Sequence, residues 1–243
     1  MTEKPSSQNL LITPPGGNLE SHHWLELAAE AERIAGGVIY LTPNSGLELR
    51  NVSQEPAKHI RRLHHSQVLA SPLHAEAREL AFALAQYDFA GRQVGVEGGD
   101  GLISALNLDL CVVLDGWTAD ILVAGQPAKT GIMVEEVAQE VLSTLHQAPQ
   151  GTGTTPTLEA SSQPIGWLPH EDNPGTVSLG ARVADNAIPA AHAEMIGRME
   201  VATSVTPWGG IVFHDLSEED ADVVVRFLAP RGYIFDAGSP LLK

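Results

Sequence analysis

Val38-Ile-Tyr-Leu-Thr-Pro-Asn-Ser-Gly-Leu-Glu-Leu-Arg-Asn-Val52 returns in degenerate form as Val201-Ala-Thr-Ser-Val-Thr-Pro-Trp-Gly-Gly-Ile-Val-Phe-His-Asp-Leu216. Setting Thr42-Pro43 on Thr206-Pro207 fixes the offset at 206 − 42 = 164 residues. Without a gap, Gly46 then falls on Gly210, and Leu47, Leu49, Val52 and Ser53 fall on Ile211, Phe213, Leu216 and Ser217. A short apolar strand (Leu10 to Thr13; Val177 to Val183) and an amphipathic helix precede each copy. The chain therefore carries one α+β unit twice.

The surroundings of each copy bear this out. Leu10 to Thr13 is stopped by Pro14-Pro15-Gly16-Gly17, which breaks both helix and ladder. Ser21 to Ile34 places Trp24, Leu25, Ala28 and Ala31 at helical spacing, opposite Glu26, Glu30 and Glu32, and Gly36-Gly37 ends it. Val38 to Leu41 and Leu47 to Val52 are strands joined by the turn Pro43-Asn44-Ser45-Gly46. Ser53 has the chemistry of an N-cap for a helix running to about Leu63. The second copy predicts strands near Thr176–Val183, Ala202–Thr206 and Ile211–Phe213. Its helices are Ala190–Met199 and Ser217–Leu228, the latter with capping-box spacing to Asp220.

Between the copies lies a different segment. Ala75 to Tyr87 reads as a helix and Gln93–Glu97, Leu108–Leu114 and Thr118–Ala124 as strands, the last two joined at the hairpin signal Asp115-Gly116. Met133–Leu145 reads as a helix. From Gln147 to Gln163 the composition turns to Gly, Thr, Pro and Ser, the signature of a flexible linker. The expected organisation is a disordered tail (1–8), a first half-domain (9–64), a middle α+β region (65–147), a linker (148–163) and a second half-domain (164–243).

Composition narrows the function classes. The 243 residues carry 14 Lys+Arg against 30 Asp+Glu, a formal charge of −16. Nucleic-acid affinity rests mainly on Lys and Arg contacts to phosphate, so nucleic acids and anionic membranes are poor partners. No apolar run approaches a membrane span and Met1 to Asn9 is too polar for a signal peptide, which makes the cytoplasm the expected location. The single cysteine, Cys111, excludes an intrachain disulfide and any multi-thiolate metal site built from this chain alone.

The run Ile39-Tyr-Leu-Thr-Pro-Asn-Ser-Gly-Leu-Glu-Leu-Arg50, then Leu69-Ala-Ser-Pro-Leu73, then Val205-Thr-Pro-Trp-Gly-Gly-Ile-Val212, resembles the nitrite and sulfite reductase superfamily, and within it precorrin-3B synthase of cobalamin biosynthesis. The resemblance covers nearly the whole chain in order. It implies an α+β fold of two ferredoxin-like half-domains related by pseudo-twofold symmetry, with a small middle region. It also implies an oxidoreductase that holds sirohaem or another porphyrinoid beside a four-iron four-sulfur cluster. In the family the cluster cysteines begin a few residues beyond a segment like Ser239-Pro-Leu-Leu-Lys243, where this sequence stops, so no cofactor is expected within the chain itself.

Other positions depart from the family pattern. Asn44 stands where an Arg is usual, Ser66 and Gln67 replace an Arg-Asn pair before the Ser-Pro-Leu motif, and Gly209 follows Thr-Pro-Trp where Arg is frequent. The candidate contacts to a tetrapyrrole or other anionic small molecule are Arg50, Arg92, Trp208 and His214, with no catalytic residue and no metal ligand assigned. Each has a plainer reading. Arg50 and Arg92 can be exposed arginines, Arg50 paired with Glu48; His214 can be a solvated strand-end histidine; and Trp208 can be a wedge between half-domains. His22-His23, His64-His65 and His74 lack chelating spacing, and Gly95-Val-Glu-Gly-Gly-Asp-Gly101 reads as a tight turn rather than a phosphate loop. Two functions stay open: a precorrin-3B synthase-like enzyme, as a fragment or degenerate form, and a non-catalytic scaffold or small-molecule binder on the same fold.

Overall fold

The computed structural model describes residues 8–63, 66–106, 108–146, 162–169 and 175–242. Residues 1–7 of the expected tail (1–8), His64-His65 and residues 148–161 of the expected linker (148–163) lie outside the described residues, and Gln8 belongs to the first strand. The chain divides into two compact units. One comprises both repeat copies; the other comprises the middle region from Ser66 together with Pro15–Gly17.

In the first unit, copy one runs β1 (Gln8–Ile12), β2 (Asn18–Leu19), α1 (Ser21–Ile34), β3 (Val38–Thr42), β4 (Gly46–Val52) and α2 (Lys58–Arg62). The middle unit contributes β5 (Val68–Ala70), α3 (Ala75–Leu84), β6 (Val94–Glu97), β7 (Leu110–Asp115), β8 (Thr118–Val123), β9 (Gln126–Met133) and α4 (Val137–Leu145). Copy two, preceded by β10 (Gly166–Pro169), runs β11 (Thr176–Val183), β12 (Ala187–Pro189), α5 (Ala190–Gly197), β13 (Thr203–Val205), β14 (Gly210–Ser217) and α6 (Glu218–Leu228), and closes with β15 (Tyr233–Ile234).

The copies exchange strands. The first sheet has the order β1-β4-β3-β12, and the second contains β10-β11-β14-β13-β2, with β15 also on β11. Thus β12 of copy two completes the sheet of copy one, and β2 of copy one completes the sheet of copy two. The registers match: Ile188 pairs with Ile39 and Leu19 with Thr203. Ile12 opposes Leu47 as Ala181 opposes Ile211. These pairs fix offsets of 211 − 47 = 164 for the later strands and 181 − 12 = 169 for the earlier ones. The helices still begin 190 − 21 = 169 residues apart, and α5 with 8 residues is shorter than α1 with 14, so the loss of five residues in the offset lies between the helix starts and the strands that follow.

The correspondence extends to backbone detail. Gly16-Gly17, both in the left-handed region, are matched by Asp185-Asn186 in the same region. In β4, Arg50 and Asn51 bulge opposite Asn9; in β14, His214 and Asp215 bulge opposite Ser178. Asn51 and Asp215 take φ of 54° and 53°, values that short polar side chains tolerate. A Cβ on Gly46 would lie 2.9 Å from the Ile12 carbonyl, and one on Gly210 would lie 2.7 Å from the Ala181 carbonyl. Both positions therefore demand glycine, because the facing strand's backbone fills the space.

One core is shared by the two copies. It joins Trp24, Leu27 and Ala31 of α1 to Ala193 and Ile196 of α5, and to the inner faces of both sheets at Leu47, Leu49, Ile211 and Phe213. Trp24 is fully buried, and its indole N–H donates to Thr203 Oγ1 at 2.8 Å. The Thr203 hydroxyl in turn donates to the Leu19 carbonyl at 3.2 Å. The middle unit has its own core, in which Ala77, Ala81 and Leu84 of α3 and Val137 and Val141 of α4 pack on a sheet of order β5-β6-β7-β8-β9. In that sheet β5, β6 and β7 are parallel, and β7, β8 and β9 antiparallel.

Several sequence expectations are corrected. Ser53 is not an N-cap: its hydroxyl donates to the Ile34 carbonyl and α2 begins only at Lys58. Pro56 disfavours helical backbone at the residue before it, and Glu30 instead anchors the intervening loop by accepting the Ala57 N–H at 2.7 Å. The helix expected from Met133 begins as α4 at Val137, because Gln126–Met133 is strand β9. Strands β2, β10 and β12, of two to four residues each, carry too short a pattern to read from sequence. Among the described residues no helix is long and apolar enough to cross a membrane.

Gly46→Ala and Gly210→Ala should each lower stability by about 1 to 3 kcal/mol, the usual cost of overpacking a fixed site. Urea unfolding followed by tryptophan fluorescence measures this, and a loss below about 0.5 kcal/mol for both would show that the facing carbonyls yield.

Candidate functional site

The inner sheet faces are consumed by the core, so chemistry must reside on the outer faces and the turns. On the outer face of the first sheet Arg50, lifted by the bulge, places Nε 2.6 Å from Glu48 Oε2 and its guanidinium carbon 3.8 Å from the centre of the Tyr40 ring. Asn9 Nδ2 donates to the other Glu48 oxygen at 2.8 Å. Arg50 is exposed, yet its charge is balanced by Glu48 and its flat face is covered by Tyr40.

The repeat places Ser178, Val212, His214 and Ser204 of copy two at the positions of Asn9, Glu48, Arg50 and Tyr40. Here the row is buried. His214 is 4% exposed, with Nε2 2.7 Å from Ser204 Oγ and Nδ1 3.5 Å from Ser178 Oγ, and Ser204 Oγ reaches Asn18 Oδ1 at 2.8 Å. The polar row thus spans β11, β14, β13 and β2. His214 is not the solvated strand-end residue that its position predicts, because Val212, Ser178 and Ser204 around it are themselves buried.

At the other end of the same face is the turn Thr206-Pro-Trp-Gly-Gly210. It is closed by Thr206 N–H to the Gly210 carbonyl at 2.9 Å and by Gly210 N–H to Thr206 Oγ1 at 3.1 Å. Trp208 is buried within it, and its indole N–H has no acceptor among the described residues. Arg182, on β11, reaches into the turn and donates through Nη1 to the Trp208 carbonyl and to Asn186 Oδ1 at 2.8 Å. Burial holds the Arg182 guanidinium below the usual arginine range. Arg182 is not among the residues the sequence singles out; its only sequence signal is a cation in an otherwise uncharged strand.

The middle unit holds the fourth candidate, Arg92, whose backbone N–H donates to the Phe89 carbonyl at 3.0 Å. The glycine-rich stretch at the end of β6 does more than turn the chain. Glu97, 2% exposed, accepts the N–H groups of Gly99 and Gly101 on Oε1 at 3.0 and 3.1 Å, and those of Ile103 and Ser104 on Oε2 at 2.9 and 3.0 Å. Asp100 in the same loop accepts from the Ser71 hydroxyl and from Leu102 N–H at 3.0 Å, and lies 3.8 Å from His74 Nε2. Burial alone would raise the Glu97 carboxyl, but the bonds from Asp100, Ser104, Ile103 and Gly101 bring it down to about 2. Burial, and next the ionised Glu97, raise Asp100 to about 7.

No protein-family model matches the chain, and no curated protein matches it in sequence. Among solved structures, the NirA protein of Mycobacterium tuberculosis is similar, with a TM-score of 0.69 over 94% of this chain at 13% sequence identity. The fold is that of NirA. It is the α+β arrangement of paired ferredoxin-like half-domains that the resemblance to nitrite and sulfite reductases implies. The alignment takes in 57% of the NirA chain, so this chain spans little more than half of that protein, and at such identity the likeness speaks for fold alone.

The cofactors of that fold group can be tested against the residues present. An iron-sulfur cluster of this type is held by several thiolates. The one cysteine of this sequence, Cys111, is buried in β7 and burial pushes its thiol up. These residues do not supply the cluster's donor set, and among the described residues no group of three or more His, Cys, Asp or Glu is placed to hold a metal ion. A carboxylate-bearing tetrapyrrole needs cations, and of those described here Arg50 is already engaged with Glu48.

The carboxylate pair sets a pH signature. Asp100 keeps its proton in the folded state up to about 7, above its ordinary value, so the folded state binds more protons than the unfolded one and stability falls as pH rises from about 4 to about 7. Glu97 acts oppositely, contributing stability that is lost as pH falls from about 4 towards 2. Asp100→Asn should flatten the decline between about pH 4 and 7, measured by urea midpoints across that range; an unchanged slope would show that Asp100 does not titrate there.

Proposed function

We propose that the chain is a ligand-binding member of the nitrite and sulfite reductase fold group, similar to precorrin-3B synthase, which holds a carboxylate-rich tetrapyrrole or a comparable anionic small molecule and contributes no redox ligand of its own. The observation that carries this reading is the fate of the two bulge positions. The charge of Arg50 is balanced by Glu48 and one face of its guanidinium is covered by Tyr40, and His214 is buried against Ser178 and Ser204, so neither places an uncompensated positive charge before a reacting anion. The bulge geometry persists while the side chains it aims are engaged within the protein, which supports a non-catalytic role; the support for an anionic ligand is Arg182, whose guanidinium bonds only neutral oxygens among the described residues.

The enzyme reading, precorrin-3B synthase-like hydroxylation and ring lactone formation in cobalamin biosynthesis, is favoured by one observation: the fold is kept over 94% of the chain. It requires electron chemistry that this chain's own residues do not provide, since Cys111 is buried and solitary.

Titration of uroporphyrin, a porphyrin octacarboxylate, into the purified chain should give saturable binding, read as a change in the porphyrin Soret band. Absence of binding would overturn the ligand class. A stoichiometric iron-sulfur or sirohaem spectrum in anaerobically purified protein would overturn the absence of redox ligands.

A further inference from the structure

We infer that Arg182 and Trp208 form a binding site for a single carboxylate group on the outer face of the second half-domain. The inference deepens the anionic-ligand reading above by naming where one acid group is held.

The first argument is the cation's environment. Arg182 Nη1 is fixed by two neutral oxygens, the Trp208 carbonyl and Asn186 Oδ1. Among the described residues Nε and Nη2 have no acceptor, and no carboxylate lies within ion-pair distance. In the same unit Arg33, Arg50, Arg61, Arg198 and Arg226 each face a Glu or Asp, and Arg231, which bonds the Phe227 carbonyl, is exposed rather than half-buried. A half-buried charge without a counterion is costly, all the more in a chain of net charge −16 where carboxylates are plentiful.

The second argument is the packing of Gly209. A Cβ built there would fall on the Arg182 guanidinium and on Asn186 Oδ1, and Gly209 has φ of +72°. The guanidinium occupies the volume a side chain at 209 would fill. A cation is therefore delivered to the Thr-Pro-Trp turn from the neighbouring strand, with its orientation set in advance.

The third argument is the indole. Trp208 is 8% exposed and among the described residues its buried Nε1 hydrogen has no acceptor, although buried donors are nearly always satisfied. The repeat supplies an internal comparison: Thr13 and Ser45 occupy in copy one the places of Arg182 and Gly209. The fold itself thus needs no cation at this point.

The chemistry of the ligand follows from these groups. The Nε/Nη2 edge of a guanidinium offers two parallel N–H groups matched to the two oxygens of a carboxylate. One cation balances one negative charge; a phosphate dianion would leave an excess charge in an acidic protein. The flat indole favours a carboxylate borne on a planar, conjugated frame.

The test uses the full chain, with benzoate as the carboxylate, benzamide as its neutral isostere and inorganic phosphate as the alternative anion. In 15N-correlation spectra one of the four tryptophan indole signals, assigned to Trp208 by its loss in Trp208→Phe, should shift on adding benzoate. The apparent affinity for benzamide and for phosphate should be at least about tenfold weaker, the factor that a charge-assisted pair of about 1.4 kcal/mol confers. Arg182→Met should abolish the benzoate response. Arg182→Lys, which keeps the charge and guards against a folding defect in the Met variant, should weaken it severalfold because the fork is lost.

An indole signal that ignores benzoate, follows phosphate preferentially, or responds equally in Arg182→Lys and Arg182→Met would overturn the site. Uroporphyrin binding that is the same in wild type and both variants would also overturn it while leaving the ligand-class reading intact. A benzoate site dependent on Arg182 in a chain that ignores uroporphyrin would do the reverse.

Discussion

The two half-domains are held together by a reciprocal exchange of strands, and the rest of the molecule depends on that constraint. Strands β2 and β12 each leave their own copy to hydrogen-bond with the other copy's sheet, so neither sheet is complete without its partner. Backbone bonds of this kind cannot be left unmade in a buried setting. The exchange brings α1 and α5 together over one core, where the bond from Trp24 to Thr203 spans the copies. Removing either copy would expose both a sheet edge and an apolar helix face.

Given that frame, what the repeat preserves is backbone geometry, and what it relaxes is outer-face chemistry. The left-handed pairs Gly16-Gly17 and Asp185-Asn186, the bulges at Asn51 and Asp215, and the close approaches at Gly46 and Gly210 are kept because each is dictated by strand crossing and register. The outer residues face no such demand. They have diverged into an exposed charged cluster around Arg50 in one copy and a buried neutral row around His214 in the other. Among the described residues, a guanidinium whose Nε and Nη2 have no acceptor, on the turn that buries an unpartnered indole, then differs from Arg50, whose charge Glu48 balances.

The middle unit solves a similar problem by different means. The loop after β6 wraps four backbone N–H groups around the Glu97 carboxylate, which turns a glycine-rich stretch into a rigid structure built on one buried charge. Gly98 is required there because a Cβ would run into the His74 ring. The stretch is a turn, as its composition predicts, but the reason for its glycines lies in Glu97 and His74, which sequence order alone does not connect to it.

The sequence by itself determined the duplication, the α+β class, the main strands and helices of each copy, and the glycine turns at 46 and 210, because these depend on local periodicity and on residue types with few allowed conformations. It did not determine the two-residue strand β2, whose partner β13 lies far along the chain, the late start of α2, held off by Pro56 and the Glu30 bond to Ala57, or the edge strand β9, whose mostly exposed residues carry no apolar alternation. For the site, Arg50 and Glu48 are neighbours on alternate strand positions, so their pairing was legible. The burial of His214 and the delivery of Arg182 to the Trp208 turn were decided by tertiary structure alone, since burial and ion pairing depend on what other strands place within a few ångströms, and those strands lie tens of residues away.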